Sequence, residues 1–446
     1  MVINIASRFY SILIGYLVVV FVNRYYSFEE YGEYIMFIVY CSILTVFGVF
    51  GVNKSVISET RFDLENNNLF KLKILALNVI FSLFFVTLIC FIFNISYCAE
   101  LLIVVTFMVV NEIIKGLFLL HQSNKIFSFL TYIVEPSVFG LFLSYSIFFD
   151  KKIELIKMTI YSHTFLVVLG LVLAFYTRIL SLKNYSSQKV SILDFYKVSI
   201  TFFLINISQV IIDSVDKILI SKFLNNKFVG IYSTLDKISR LTTAMFNAMS
   251  PLLMKKIARF KESNILLKVY ENYSSIAILI SLPSSFSIYF FRNEILPLFN
   301  SSLIQYEFIL LGLLIVKLIQ YSSGFKAVML QMSGLKKYDL FSKLIKLITN
   351  TIFIYICIGL LKYDLLGVVL ALLISMLLFT QAQVYFIKIK YEVTYLQPIF
   401  YITFLYQSVC YLSGYYLGEY VFVLFQIIYF SLAIRHSKSL LGIDYE

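Results

Sequence analysis

The 446 residues are 60% hydrophobic and only 14% charged, with a mean hydropathy of +0.87, which excludes a soluble globular protein of this size. The apolar residues come in runs of about 20, long enough to cross about 30 Å of hydrocarbon, and lack the two-residue alternation of barrel strands. A net charge of +12 does not point to nucleic acid, because the basic residues sit mainly between the runs, where insertion topology accounts for them.

The fold class expected is therefore all-α: a polytopic membrane protein with about fourteen spans, twelve being the alternative count. The first run has no small-residue cleavage site and reads as a retained helix. It carries Arg8. With the N-terminus inside, the inner loops and helix ends collect 22 Lys and Arg and the outer ones 8, so both termini are expected in the cytoplasm. Trp is absent, and the 34 Tyr supply the interfacial aromatics. Neither the five cysteines nor the three histidines have metal-site spacing, and no disulfide or metal is expected.

Further along, Glu112 and Lys115 are spaced to pair on one helix face, and Pro136 follows Glu135 inside the fifth run, where it permits a hinge or a static kink. The polar stretch Ser181–Lys197 separates two halves. Expected domains are an N-terminal six-helix lobe (1–182), a cytoplasmic linker (183–197), a C-terminal six-helix lobe (198–390) and two extra C-terminal helices with a tail (391–446). An internal repeat supports this plan. At an offset of 198, Asn23–Tyr34 lies over Ser221–Tyr232, matching Arg24 with Lys222, Gly32 with Gly230 and Tyr34 with Tyr232. Arg61 and Phe62 match Arg259 and Phe260 at the same offset, and an offset of 211 pairs Lys115 with Lys326 and Lys125 with Lys336.

The seventh and eighth runs are unusual in their charge. Asn206, Gln209, Asp213 and Asp216 share one helical face, with Lys217 beside them; Asp236, Arg240, Thr243 and Asn247 do the same in the next run, which also holds Lys237. Asp236 and Arg240 are placed for an i,i+4 pair. Two readings stay open: ion pairs that lock helices together, or the lining of a wet cavity. Lys317 and Lys326 add deep charges in the tenth run, and Lys326 and Arg8, nearer the ends, can also snorkel. Seven bases facing lipid (Arg8, Lys115, Lys217, Lys237, Arg240, Lys317, Lys326) cost about 20 kcal/mol on insertion scales. That exceeds the stability of an ordinary domain, about 5–15 kcal/mol, so most must face inward. Against five acids (Glu112, Glu135, Asp213, Asp216, Asp236) they predict a mildly cationic cavity, suited to an anion such as a pyrophosphate. Pro283 marks a second candidate hinge in the ninth run. No P-loop, GxSxG, HExxH or dinucleotide fingerprint occurs, so an enzyme is not expected. No cofactor is expected either, and the candidate driving forces include a gradient of H⁺ or Na⁺.

Several stretches together resemble a family. They are Arg24 with Tyr31-Gly32-Glu33-Tyr34, Asp216-Lys217 through Lys222 with Val229-Gly230-Ile231-Tyr232-Ser233, Pro251, Ser281-Leu282-Pro283, Ser333-Gly334-Leu335-Lys336-Lys337, and Tyr363 through Gly367 to Ala371. The pattern is similar to the O-antigen and capsule repeat-unit flippases of the multidrug/oligosaccharidyl-lipid/polysaccharide (MATE-like) exporter superfamily. The resemblance implies two six-helix lobes around a cationic cavity that opens alternately to each side. It implies a bacterial inner-membrane protein that moves undecaprenyl-pyrophosphate-linked oligosaccharide to the periplasmic leaflet. The substrate-binding residues expected on this footing are Arg8, Lys115, Asp213, Asp216, Lys217, Asp236, Lys237, Arg240 and Lys317. Expected partners are the lipid-linked oligosaccharide, membrane lipids, a polysaccharide polymerase and a chain-length regulator, and no nucleic acid. Fourteen spans rather than twelve resembles the lipid II flippase branch, so a lipid II-type flippase stays open as an alternative, as does a cation-coupled multidrug antiporter of the same fold. A membrane-embedded polymerase or glycosyltransferase would need a large extramembrane loop, which the sequence lacks.

Overall fold

The computed structural model describes residues 2–58, 68–93, 97–121, 124–149, 153–177, 179, 191–244, 246, 249–250, 253, 263–322, 324–332, 335–389, 391 and 398–442. Helices occupy the described parts of the expected runs, and no strand occurs among the described residues. Ten described segments are long and apolar enough to cross a membrane. The chain forms two compact units, Met1–Ser214 and Val215–Glu446. This division falls inside a helix, downstream of the linker expected at 183–197, of which 183–190 lie outside the described residues.

The first unit contains α1 (Val2–Tyr25), α2 (Phe28–Val49), α3 (Val52–Ser58), α4 (Asn68–Phe93), α5 (Cys98–Leu120), α6 (Asn124–Ser128), α7 (Glu135–Phe148), α8 (Leu155–Tyr176) and most of α9 (Ile192–Phe223). Its centre is α5, which packs against α2, α3, α4 and α8 through fully buried residues such as Val104, Val109, Ile114 and Phe118. The outside is as apolar as the core. On α8 the exposed side chains include Tyr161, Phe165, Val168 and Val172, a stripe at helical spacing that water would penalise and lipid accepts. Between α2 and α3 the chain turns at Gly51, where φ is +74° and a Cβ would fall 2.4 Å from the Ser199 carbonyl oxygen, so only glycine fits. Pro136 sits at the start of α7, directly after a π-helical turn over Phe129–Val134 in which the Glu135 N–H donates to the Leu130 carbonyl. Widening the helix by one residue is how the backbone absorbs the donor that proline lacks.

The second unit holds the end of α9, then α10 (Asn226–Arg240), α11 (Ser263–Phe290), α12 (Arg292–Phe299), α13 (Glu307–Ser322), α14 (Lys326–Met332), α15 (Lys336–Ile354), α16 (Leu365–Lys388), α17 (Pro398–Leu417) and α18 (Glu419–Gly442). The most polar of the long helices is also among the most buried. All of Val229–Asp236 on α10 is buried, together with Ile238 and Ser239, and α10 packs on α13. The repeat is visible in the caps. α1 ends at Tyr25 and α9 at Phe223; Ser27 caps α2 by accepting from the Glu30 N–H, and Asn225 caps α10 by accepting from the Phe228 N–H. Each pair of positions is 198 apart. The repeat matches at Arg61, Phe62, Arg259 and Phe260, and the motif residues Pro251, Ser333 and Gly334, lie outside the described residues.

The C-terminal helices are tied in by polar contacts of the kind that membrane interiors require. Pro283 leaves the Leu279 carbonyl without its helical donor, and the Tyr429 hydroxyl of α18 supplies one at 3.1 Å. The carbonyl orphaned at this candidate hinge is thus satisfied from α18. Gln407 and Gln426 exchange hydrogen bonds of 2.5 and 3.4 Å between α17 and α18.

Candidate functional site

In the second unit, the end of α9, α10 and α13 bring together most of the charges singled out in the sequence. Tyr232, 1% exposed, is the hub. Its hydroxyl donates to Asp216 Oδ2 at 2.5 Å, and the Lys217 ammonium lies 5.9 Å from its ring centroid. Asp216 also accepts from Lys217, at 3.3 Å. One turn after Tyr232, the buried Asp236 holds two cations: Arg240 Nε at 2.7 Å and Lys317 Nζ, 81 residues away on α13, at 3.2 Å. The expected i,i+4 pair of Asp236 and Arg240 is therefore formed. Lys217 also acts electrostatically on Asp236, and Arg240 on Lys237, so these groups form one network.

Counting the four cations Lys217, Lys237, Arg240 and Lys317 against Asp216 and Asp236 leaves a formal charge of +2. The two carboxylates are buried, and the Lys317 side chain is 13% exposed, but the Arg240 side chain is 45% exposed. Arg240 Nε is committed to Asp236, and that bond holds a partly exposed guanidinium in a fixed direction. Such a group is preorganised for bidentate contact with a phosphate. Helix α10 gives way to a 3₁₀ turn (Leu241–Thr243) immediately after Arg240, with Thr242 and Thr243 buried.

The first unit gathers a different set. Lys115, 6% exposed, donates to Glu112 at 3.1 Å and to Glu135 at 2.7 Å, while Asn53 donates to the other Glu112 oxygen at 3.3 Å. His163 on α8 lies close enough to feel both Lys115 and Glu135. Two half-buried carboxylates against one lysine make this group net negative. Lys115 is paired with both carboxylates and thereby ties α5 to α7. Asp213 accepts from Gln209 at 2.9 Å, and Asn206 accepts from Lys54 at 2.6 Å, so the polar face of α9 continues upstream. Arg8 lies on α1; its side chain is outside the described residues, as is Asn247.

One member of the network was not legible as a site residue. Tyr232 appeared only as a repeat match and within a family motif, and its burial beside Asp216 follows from the helix crossing. The Lys317–Asp236 contact joins helices far apart in sequence, and charge complementarity was the one available signal.

A family model described as "Polysaccharide biosynthesis protein" matches residues 1–251. That stretch contains the whole described network except Lys317. No curated protein matches the chain. Among solved structures, the chain is similar to the lipid II flippase MurJ in an inward closed conformation, with 18% identity, 98% of this chain and 99% of that chain covered, and a TM-score of 0.67. It is also similar to a multidrug resistance MATE family transporter of the MOP superfamily, inward-facing, with 14% identity, 85% and 95% coverage and a TM-score of 0.67. For an outward-facing structure of a MATE family transporter of that superfamily, the values are 15%, 87%, 96% and 0.62. At these identities the likeness establishes the fold.

Proposed function

The chain belongs to the polysaccharide biosynthesis protein family, and on that premise we propose that it is a flippase moving an undecaprenyl-pyrophosphate-linked oligosaccharide, an O-antigen or capsule repeat unit, between membrane leaflets by alternating access. The observation that carries this reading is the net +2 network around Tyr232 and Asp236, with Arg240 held partly exposed. A pyrophosphate is the part of such a lipid that a site of this sign engages, and Arg240 is its first contact, with Lys217, Lys237 and Lys317 setting the local potential. In the first unit, a pocket of about 180 Å³ lined by Tyr26, Tyr34, Tyr97, Glu30, Glu33 and Glu154 offers ring faces and acceptors suited to sugar. The charge bias of the loops supports both termini in the cytoplasm, and outward movement across the bacterial inner membrane is what the family resemblance implies. A polymerase and a chain-length regulator are its expected neighbours.

The net-negative Glu112–Lys115–Glu135 group favours one alternative, a cation-coupled multidrug antiporter, for which that group would bind the cation. The two readings separate at Arg240. In cells lacking their own flippase and expressing equal amounts of protein, R240A is expected to lower surface polysaccharide at least tenfold and R240K to retain an intermediate level. Wild-type polysaccharide with R240A would remove the anion-binding role.

A further inference from the structure

Lys326 is a buried charge that the proposed transport cycle has not used. It opens α14, a seven-residue helix beyond the end of the spanning segment Ser301–Ser322. The residue is 2% exposed, and among the described residues its Nζ has no hydrogen-bond partner. Its counterpart in the repeat, Lys115, is just as buried but has Glu112 and Glu135; the same offset of 211 puts Ser323 and Lys346 where those carboxylates would be. The titratable groups on the elements packed around α14 do not fill the gap. Tyr270 and Tyr273 of α11 lie in the apolar cluster with Phe325 and Met329. Asp339 of α15 takes Lys343 at 3.1 Å and Gln331 at 2.9 Å, Lys346 lies over the Phe379 ring, and Lys268, Glu271, Lys337 and Lys388 are exposed. Among the described residues, no charged side chain acts on Lys326, and burial alone pushes its amine well below the usual lysine range.

A buried ammonium without a carboxylate beside it is disfavoured against the neutral amine, which is the cause of that downward shift. Residues next to it allow the packing to open. Gly324, with φ +74°, breaks the chain between α13 and α14, and α14 is short. Helices α15 and α16, which pack on α14, carry further buried polar atoms without a protein partner (Asp339 Oδ1, Thr380 Oγ1 and Gln383 Nε2), groups through which a proton can pass once wetted.

We propose that Lys326 couples the transport cycle to protons: its amine takes a proton from water on one side of the membrane when the packing around α14 opens and returns that proton to water on the other side when the packing closes. The ammonium becomes a neutral amine, and no other reactant is needed. This rests on the flippase reading above and assigns its coupling ion as H⁺.

The test uses the full chain reconstituted in liposomes with a fluorescent undecaprenyl-pyrophosphate oligosaccharide, comparing wild type, K326M and K326R. With one proton per cycle, an imposed gradient of one pH unit is expected to shift the steady-state distribution of the lipid about tenfold in wild type. K326M should still equilibrate the lipid but lose that shift. A K326M chain that keeps the tenfold response overturns the proposal. The second readout needs no substrate. Because the amine is neutral when folded and charged when unfolded, the unfolded state binds the extra proton, and the Tm of wild type relative to K326M is expected to rise from pH 7 to pH 9. A difference that stays flat overturns the proton exchange. Wild-type protein that moves no lipid-linked oligosaccharide refutes the flippase reading and the coupling role with it, while the thermal comparison still decides proton exchange at Lys326.

Discussion

Removing Asp236 tests the network at its most loaded point. The carboxylate is buried and holds Arg240 at 2.7 Å and Lys317 at 3.2 Å. The two cations differ in what they lose. Arg240 is half exposed and can turn to water, so its loss of a partner is worth about 1 kcal/mol or less. Lys317 is 13% exposed and cannot, so D236L strands a buried ammonium, at a cost of about 3–5 kcal/mol. For a unit of this size, about 2–4 °C per kcal/mol, that is a fall in Tm of roughly 6–20 °C. Replacing both charges, D236L with K317L, removes the stranded ion along with its partner and is expected to return Tm to within a few degrees of wild type. Thermal unfolding in detergent, followed by loss of the monodisperse peak, measures all three proteins. If D236L alone melts with the double variant, the aspartate is not holding Lys317 in place and the network is decorative. R240A provides the opposite control: little change in Tm with a large loss of transport.

Much of this was legible beforehand, for reasons that differ between features. The helices followed from runs that must be long to cross hydrocarbon, and the 198-residue register extended to the caps at Ser27 and Asn225, because a cap is a local event. The pairs Glu112–Lys115 and Asp236–Arg240 were legible because i,i+3 and i,i+4 neighbours meet on any helix. What the sequence could not supply was contact between helices. That Glu135 shares Lys115 with Glu112, that Lys317 reaches Asp236, and that Tyr232 rather than Arg240 sits at the hub all depend on crossing angles that no spacing encodes. Pro283 was legible as a breaker, but the donor that satisfies its orphaned carbonyl was not, since it comes from a helix 150 residues away. The unequal treatment of Lys115 and Lys326 was hidden most completely. The repeat makes them equivalent, and only burial and partner geometry separate a neutralised ion from a stranded amine.

Further tests reach other parts of the molecule. Y232F deletes the hydroxyl donated to Asp216 and leaves a buried carboxylate oxygen short of a donor; it is expected to cost about 1–3 kcal/mol, read as a lower Tm, and a silent Y232F would remove Tyr232 from its place as hub. At His121, burial and the neighbouring Lys71 ammonium, 2.8 Å from Nε2, lower the pKa from the ordinary 6.5 to about 4. Below pH 6.5 the unfolded chain takes up a proton that the folded one refuses, so stability is level above that pH and falls as pH drops toward 4. H121Q keeps an acceptor for Lys71 without titrating, and its Tm between pH 7 and 5 should lack the part of the decline due to His121; an unchanged decline would assign it elsewhere. Finally, G324A faces two separate obstacles. The position has φ +74°, which costs an alanine about 1–2 kcal/mol, and the new methyl would lie 2.2 Å from Ser274 Oγ and 2.5 Å from Ser274 Cβ. S274G clears the second obstacle but also removes the acceptor of the Phe325 N–H, so the comparison is made against S274G alone: adding G324A to S274G should lower Tm by less than adding it to wild type, by the left-handed cost only. No loss on the S274G background would show that the left-handed turn is not what demands glycine there, and a loss as large as in wild type would show that crowding against α11 is not what the methyl meets.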